Sequence, residues 1–538
     1  MVFVWLGMLL FVIVCALAMA IAFKAQQSIR ASHHRSMTGR AAYIQAQQDK
    51  HDLNLFGIAQ QLRRRFGGLG AFGLSFNALG VIGASVLFLG PALQKGGPSV
   101  AAVGLPIAAL FALAVSATLA QLASAVPTSG GVYHWASAIG RRVWGWYAGW
   151  FQLAGSLAMT ALMNGACAFV LDQALSAKFG YDSQWWTIGL LSLAVTGTQA
   201  AANHWGVAAV AGIQQSGVWL QIGVVLAILA GLAYLFWPGV YSPVLLYTFQ
   251  NASLDGHAGL WPFIAGMLLL QKLFIGMDAA AHAAEETHDP RIRIPWAIFL
   301  STVYSYIIGF VLLLFILLVF PVVLPSGEGG GGMFLNAALQ AVGGSPVIIY
   351  AISAVLWCSG LGSQTASSRS IFCMARDNAL PFTRIWTRLT AGQSPKEAVW
   401  LAAVLSIGLL SIAGLIRGAQ YPLVLYSFAL LCLHVSYAIP IALLLKLKGK
   451  HKLLHDAPWR LGNWGTVVYW CAFLWLTITA AMSVAAIGYW GLYGAVLLLG
   501  LAAAADRKYR QRHLAKLQSR LKRPRGEIIR IERKFHLH

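Results

Sequence analysis

A run of 22 uncharged and mostly apolar residues, Val2–Phe23, opens the chain, and runs of similar length recur as far as residue 505 with only short polar loops between them. A helix of about 20 apolar residues covers the roughly 30 Å hydrocarbon core of a bilayer. The repetition therefore demands an all-α integral membrane protein. Composition agrees: 58% of residues are apolar or aromatic and 10% are charged, against about 25% charged in soluble proteins. A soluble enzyme, a fibre and a disordered chain are excluded.

The first run is followed by Lys24, Arg30, Arg35 and Arg40. A cleavable signal carries its positive charge before the apolar stretch, so this order predicts an uncleaved anchor at 1–23 with its N-terminus outside, although the small residues Ala16–Ala20 keep cleavage open. A mostly basic cytoplasmic linker, 24–66, follows. Twelve further spans are predicted at roughly 68–94, 99–122, 143–171, 184–202, 206–237, 258–284, 295–323, 347–372, 397–416, 420–446, 465–486 and 488–505, making about 13. The external segment Pro321–Pro346 holds the flexible run Gly329–Gly332 and a short lid helix near Met333–Val342.

A formal charge of +22 invites a nucleic-acid reading, but the distribution of that charge argues for topology. Of 38 Lys and Arg residues, 34 fall on the side of Arg63–Arg65, Arg141, Arg142, Arg291, Arg293, Arg369 and Arg376. Only Lys95, Lys178 and Arg417 fall on the other side, and Lys272 lies within a span. Basic loops stay inside during insertion. The expectation is a multi-pass protein of the cytoplasmic (inner) membrane, N-terminus outside and C-terminus inside, whose surroundings are the lipid bilayer and no nucleic acid.

Six cysteines lie in or at the ends of apolar runs without metal-ligand spacing, and neither CxxC nor HExxH occurs. They read as small buried side chains. No cofactor and no metal is expected.

Two interruptions carry the most information about function. The first core span contains Leu79-Gly80-Val81-Ile82-Gly83-Ala84-Ser85, and the sixth contains Phe274-Ile275-Gly276-Met277-Asp278-Ala279. Glycine costs a helix about 1 kcal/mol against alanine, and an Asp at mid-bilayer about 2.5 to 3.5 kcal/mol. Breaks at matching positions in two halves of opposite topology mark a transporter whose midplane site is built from exposed backbone. The competing reading is close helix packing through small residues such as Gly80 and Ala84.

The chain resembles the amino acid, polyamine and organocation permease superfamily, most closely its bacterial and fungal amino acid and choline branch. Three motifs carry the likeness: Leu119 to Trp135 (LAQLASAVPTSGGVYHW), Gly276 to Glu286 (GMDAAAHAAEE), and Ser368-Arg369 followed by Ala375 to Pro381 (ARDNALP). It covers residues 67–505. The resemblance implies a LeuT-like inverted-repeat fold, with ten core helices at 67–446, two more at 447–505 and a basic cytoplasmic tail at 506–538. It implies secondary active transport of an amino acid or related amine by alternating access. The extra N-terminal helix departs from the family pattern and points to a possible protein partner.

By resemblance, the amides of Gly80, Val81, Ile82, Gly83, Ala84 and Ser85 begin a half-helix whose positive end holds a substrate carboxylate. Carbonyls at Phe274, Ile275, Gly276 and Met277 accept bonds from its ammonium. Pro127, Gly130 and Gly131 permit a re-entrant turn, with Tyr133 and Trp135 at the membrane interface. Asp278 is the one acid clearly inside a span, and two roles stay open: exchanging a coupled proton or capping the second half-helix. Glu285 and Glu286 are expected to pair beside Arg291 and Arg293, and His282 to be a hydrogen-bonded helix residue.

Lys272 stands where several relatives place an aromatic gate. Attraction of an anionic group, pairing with Asp278 and snorkelling to the outer vestibule all stay open. Sodium-coupled relatives use hydroxyls of the eighth helix, which makes Ser359, Ser363, Thr365 and Ser367 candidates; such hydroxyls also commonly bond their own helix. Residues 206–237 hold no lysine of the kind some proton-driven relatives use there, so proton and sodium remain open as coupling ions. Two other classes stand beside the transporter: a non-transporting or regulatory membrane subunit or sensor on the same fold, and a membrane-embedded enzyme, for which no His, Asp or Cys cluster is found. The tail holds 12 Lys or Arg and 3 acids, and Leu514, Leu517 and Leu521 share one helix edge, which predicts a helix lying on the inner lipid surface or a solvated tail.

Overall fold

The computed structural model describes residues 2–30, 39–237, 239, 242–247, 260–319, 332–447, 452–521 and 523–534. Among them the chain is helical throughout, with two isolated bridges, Phe66 with Thr287 and Leu389 with Pro395. Helix α1 (Val2–Arg30) packs along α5 (Leu105–Ala125) through Val14 and Ala18, and α2 (Gly39–Asn54) follows it. The first core span is split into α3 (Gly68–Leu79) and α4 (Val81–Gly96). A short helix α6 (Val132–Ile139) separates the second span, α5, from α7 (Arg142–Phe179), and α8 (Trp185–Trp205) and α9 (Val207–Phe236) complete the first half.

The second half opens with another divided span: α10 (Leu260–Leu270), a 3-10 turn Gln271–Phe274, and a 3-10 helix Met277–Glu286. It continues through α11 (Pro290–Val319), the short α12 (Gly332–Ala341), α13 (Val347–Arg376), the single turn α14 (Thr383–Trp386), α15 (Lys396–Arg417) and α16 (Tyr421–Lys446). After the turn α17 (Lys452–His455) come α18 (Gly465–Ala486), α19 (Trp490–Leu521) and α20 (Arg525–Lys534). Ten of these spans are long and apolar enough to cross a membrane among the described residues. Helices α1, α8 and α19 occupy the other three predicted positions. Helix α12 lies where the lid helix was expected, while Pro321 and the glycine run up to residue 331 fall outside the described residues.

Burial sorts the helices into a centre and a rim. The most apolar windows of the first and third spans are 89% buried, whereas that of the ninth, α15, is 28% buried. Trp219, Val404, Leu415 and Ile478 stand exposed on outer helices, a distribution that suits lipid and would be a liability in water. At the centre α7 packs against α13, the third span of one half against the third of the other, and the divided spans lie beside them.

The linker and tail are docked on the core. Helix α19 runs unbroken from its apolar half into the basic tail, and Leu517, His513 and Arg520 are buried while Leu514 is exposed. The structure packs this helix on the core, where Arg520 donates to Asp377 Oδ2 and His513 Nδ1 lies 2.8 Å from Asp377 O, in place of the expected lipid-lying edge. The face carrying the linker, the tail and most arginine side chains is called the basic face below.

Candidate substrate site and gate

Both breaks are set by glycine backbone. Gly80 adopts φ 61° and ψ 69°, and Gly276 adopts φ 106° and ψ 12°, left-handed conformations that a side chain disfavours. Ile275 before Gly276 is extended, so no helix crosses that point. The first bond of α4 runs from the Ala84 amide to Gly80 O at 2.8 Å. Val81, Ile82 and Gly83 thus present amides at the positive end of the helix without an i−4 acceptor of their own. A Cβ placed on Gly276 would stand 3.5 Å from Ala78 O, which brings the second break against the end of α3. The sequence-derived set Gly80–Ser85 and Phe274–Met277 therefore forms one locus, buried apart from the partly accessible Gly276.

Two carbonyls near this locus are occupied by side chains. Ser75 Oγ donates to Met277 O at 2.7 Å and Ser305 Oγ to Leu273 O at 2.7 Å. Ser75 Oγ also accepts from the Ala280 amide at 2.9 Å, pinning the second break to α3.

Lys272 neither snorkels nor pairs with Asp278. Its side chain is fully buried, and Nζ donates to Leu79 O at 2.6 Å and Ala78 O at 3.4 Å. The carbonyl end of a helix carries partial negative charge. An ammonium from the sixth span therefore caps the first half-helix of the first span.

Asp278 lies on the basic-face side of the break, inside a polar network. It accepts from Tyr437 Oη and from Gln152 Nε2, the latter at 2.5 Å, and its carboxylate is 3.3 Å from His282 Nε2. His282 Nδ1 faces Ser129 O at 3.2 Å and Ser370 Oγ at 3.1 Å. Capping is not its role, because the cap position is Gly276 and no side chain bonds there. Gln152 and Tyr437 were not singled out from sequence; each lies in an apolar helix and its residue letter announces no partner.

Below this network the basic face is closed by two buried ion pairs. Arg376 forks onto Glu285 with both contacts at 2.8 Å, and Arg369 reaches Glu286 at 3.2 and 3.3 Å. The expected partners Arg291 and Arg293 are not used. Arg291 pairs with Asp52 of α2 at 3.6 Å. The proline loop locks onto the same acid, since Ser129 N donates to Glu285 Oε1 at 3.2 Å and Ser129 Oγ accepts from Glu285 N at 2.9 Å. Tyr133 and Trp135 are buried in this gate and are not interfacial; Trp135 Nε1 donates to Val126 O at 3.1 Å.

The termini reinforce the closure. Linker amides of Arg65 and Phe66 donate to Glu286 O at 2.7 and 2.9 Å, Arg64 donates to Thr287 O, and Gln60 Nε2 to Glu285 O at 2.9 Å. From the tail, Arg520 Nη1 donates to Asp377 Oδ2 at 2.5 Å, beside Tyr133 Oη at 3.0 Å and His134 Nε2 at 3.2 Å on the same oxygen. Burial alone would raise the Asp377 carboxyl, yet Arg520, His134 and Arg376 hold it well below the usual carboxylate range. Burial lowers His134 and His513, keeping both imidazoles neutral in the dock.

The eighth-span hydroxyls turn to their own helix. Ser359 donates to Val355 O at 3.1 Å, Ser363 to Ser359 O at 3.3 Å, Thr365 to Leu361 O at 2.7 Å, and Ser367 to Ser363 O at 2.9 Å. Thr365 is also 2.9 Å from Asn203 Oδ1. Ser359 Oγ nonetheless stands 3.2 Å from where a Cβ on Gly80 would be, at the edge of the first break.

Comparison with known proteins adds a second line of observation. A model of the amino acid permease family matches residues 66–498. An amino-acid permease BAT1 homolog of Oryza sativa is 27% identical over 462 residues, covering 80% of this chain and 86% of the relative. Amino-acid permease 2 of Neurospora crassa is 28% identical over 446 residues, covering 80% of each. The GABA-specific permease of Saccharomyces cerevisiae is 24% identical over 473 residues, covering 82% of this chain and 80% of the relative.

Proposed function

The chain belongs to the amino acid permease family, and from that premise we propose that it carries an amino acid or related amine across the membrane by alternating access, with the substrate held between the breaks at Gly80 and Gly276. The reading of a non-transporting subunit is not favoured by relatives that are themselves named permeases. The observation that carries the site is the approach of the second break, at Gly276, to the end of α3 at Ala78, two residues before the left-handed Gly80 and the unpaired first amides of α4.

In this reading a carboxylate binds the amide end of α4, where the helix charge favours an anion. The substrate's amino group takes the free carbonyls near Phe274 and Ile275, because Leu79 O and Ala78 O already hold Lys272 and Met277 O holds Ser75. Lys272 acts as a built-in cation at the end of α3, so that end needs no mobile ion. Asp278 is then the group through which a proton is coupled, its network linking the site to the gate at Ser129, Ser370 and Glu285. Opening to the basic face breaks the Glu285–Arg376 and Glu286–Arg369 pairs. The basic face is cytoplasmic in this scheme, with the N-terminus outside, as the charge distribution favours.

Purified protein in liposomes, loaded at one pH and diluted into another, tests the proposal. A panel of neutral, acidic and basic amino acids and 4-aminobutyrate should include a substrate that accumulates with an inward proton gradient. A ligand that binds yet is never moved would return the chain to the subunit class.

A further inference from the structure

Between the linker, the gate and the tail lies a cavity of about 290 Å³ whose lining includes Arg376, Lys516, Arg520, Arg523 and Lys534 against a single carboxylate, Asp377. Its charges are not balanced. Asp377 is matched by Arg520, Arg376 by Glu285, and Arg523 by Glu527 at 3.2 Å. Lys516 and Lys534 form no ion pair among the described residues. Among the described residues the Nε–H groups of Arg376 and Arg520 are buried without an acceptor, Asp377 Oδ1 is buried without a donor, and Arg520 as a whole is only 8% exposed. Donors left unsatisfied in this way each cost about 1 to 3 kcal/mol.

We propose that this cavity is an anion site for a phosphate group, and that its occupant fastens the tail to the gate. Guanidinium and ammonium groups converging from three segments suit an anion with several oxygens, which a phosphate offers and a single carboxylate does not. The space is ample for a phosphate group with a small ester substituent. Arg376 belongs to the gate, Arg520, Lys516, Arg523 and Lys534 to the tail, so one ligand ties the two together. The phosphate can come from a soluble phosphate or from the headgroup of an anionic lipid, since the basic face meets both.

Hydrogen exchange of the full chain reads the site without any transport measurement. In phosphatidylcholine vesicles, inorganic phosphate at ten times its Kd slows exchange of tail amides 513–534 about tenfold relative to chloride at equal ionic strength. In vesicles containing phosphatidylglycerol the same protection without added phosphate assigns the site to lipid; protection only by added phosphate assigns it to a soluble anion. The variant Lys516→Glu with Lys534→Glu, which leaves the gate pairs intact, loses the protection in either case. No protection from either source, or equal protection in the variant, overturns the proposal.

Discussion

Lys272 of the sixth span reaches across to Leu79 of the first, its ammonium 2.6 Å from that carbonyl. One contact thus joins the two interrupted helices that define the candidate site, and it does so through a buried amino group whose acceptors are the backbone carbonyls of Leu79 and Ala78. If this ammonium replaces a mobile cation, Lys272→Met removes a donor from two buried carbonyls and destabilises the protein by about 1 to 3 kcal/mol. Uptake should fall at least tenfold, and thermal melting should show the loss of stability. A variant with normal melting and normal uptake would remove Lys272 from the mechanism.

Asp278 offers a separable prediction. Asp278→Asn keeps the shape, puts an NH2 in place of one of the two oxygens that accept from Gln152 and Tyr437, and loses the ability to titrate. Substrate exchange across liposomes should continue, while accumulation driven by a proton gradient disappears. Gradient-driven accumulation in the variant would assign the coupling elsewhere.

Much of this arrangement was legible in the sequence, and its limits are physical. The spans were visible because a bilayer imposes a length on each helix, and the breaks were visible as candidates at Gly80 and Gly276, although the letters alone left close helix packing as a competing reason for the glycines. The gate acids Glu285 and Glu286 were visible, but their partners were not. Arg291 and Arg293 are near in sequence, whereas Arg369 and Arg376 come from another helix 83 and 91 residues away. The acceptors of Lys272 are backbone carbonyls, which no residue letter encodes. The tail looked like a lipid-binding helix because its charge was legible and its acceptor, Asp377, lay 143 residues away.

The gate pair makes its own prediction. Glu285→Gln leaves the Arg376 fork without its carboxylate, and breaking one side of a buried pair costs about 3 to 5 kcal/mol. The closed state loses population accordingly. Cys373, fully buried and 3.8 Å from Arg376 Nη2, is a native reporter. Its alkylation, followed by mass spectrometry of the peptide, should accelerate about a hundredfold; an unchanged rate would show that the pair does not hold the gate.

Acidification should release the tail. His134 and His513 sit below their usual range of about 6.5, held there chiefly by burial, which outweighs the pull of Asp377 toward protonation; Arg520 and Arg376 near the first and Arg142 and Arg520 near the second add smaller repulsions. A base held low binds fewer protons docked than free, so docking weakens as pH falls through about 6.5 and is restored above it. Asp377, also held low in the docked state, acts with the same sign in a lower window: its contribution is present above about pH 4 and lost only below. A spin label on Ser519→Cys should therefore gain mobility below about pH 6.5, and His134→Gln with His513→Gln should abolish that transition. Mobility independent of pH in the parent would contradict the neutral-imidazole dock.

The central claim is that substrate lies between the two glycine breaks, and equilibrium binding tests it most directly. Labelled substrate is titrated into purified parent, Gly276→Leu and Gly80→Leu, each first shown by size-exclusion elution and melting to be folded. The space around Gly276 accommodates a Cβ, its nearest neighbour being 3.5 Å away, but the positive φ of 106° strains any side chain there, so Gly276→Ala, which carries the strain without filling the site, is the control and should keep more affinity than Gly276→Leu. Affinity should drop at least about a hundredfold in both variants, a loss of roughly 2.7 kcal/mol. Folded variants that bind as tightly as the parent would place the substrate elsewhere.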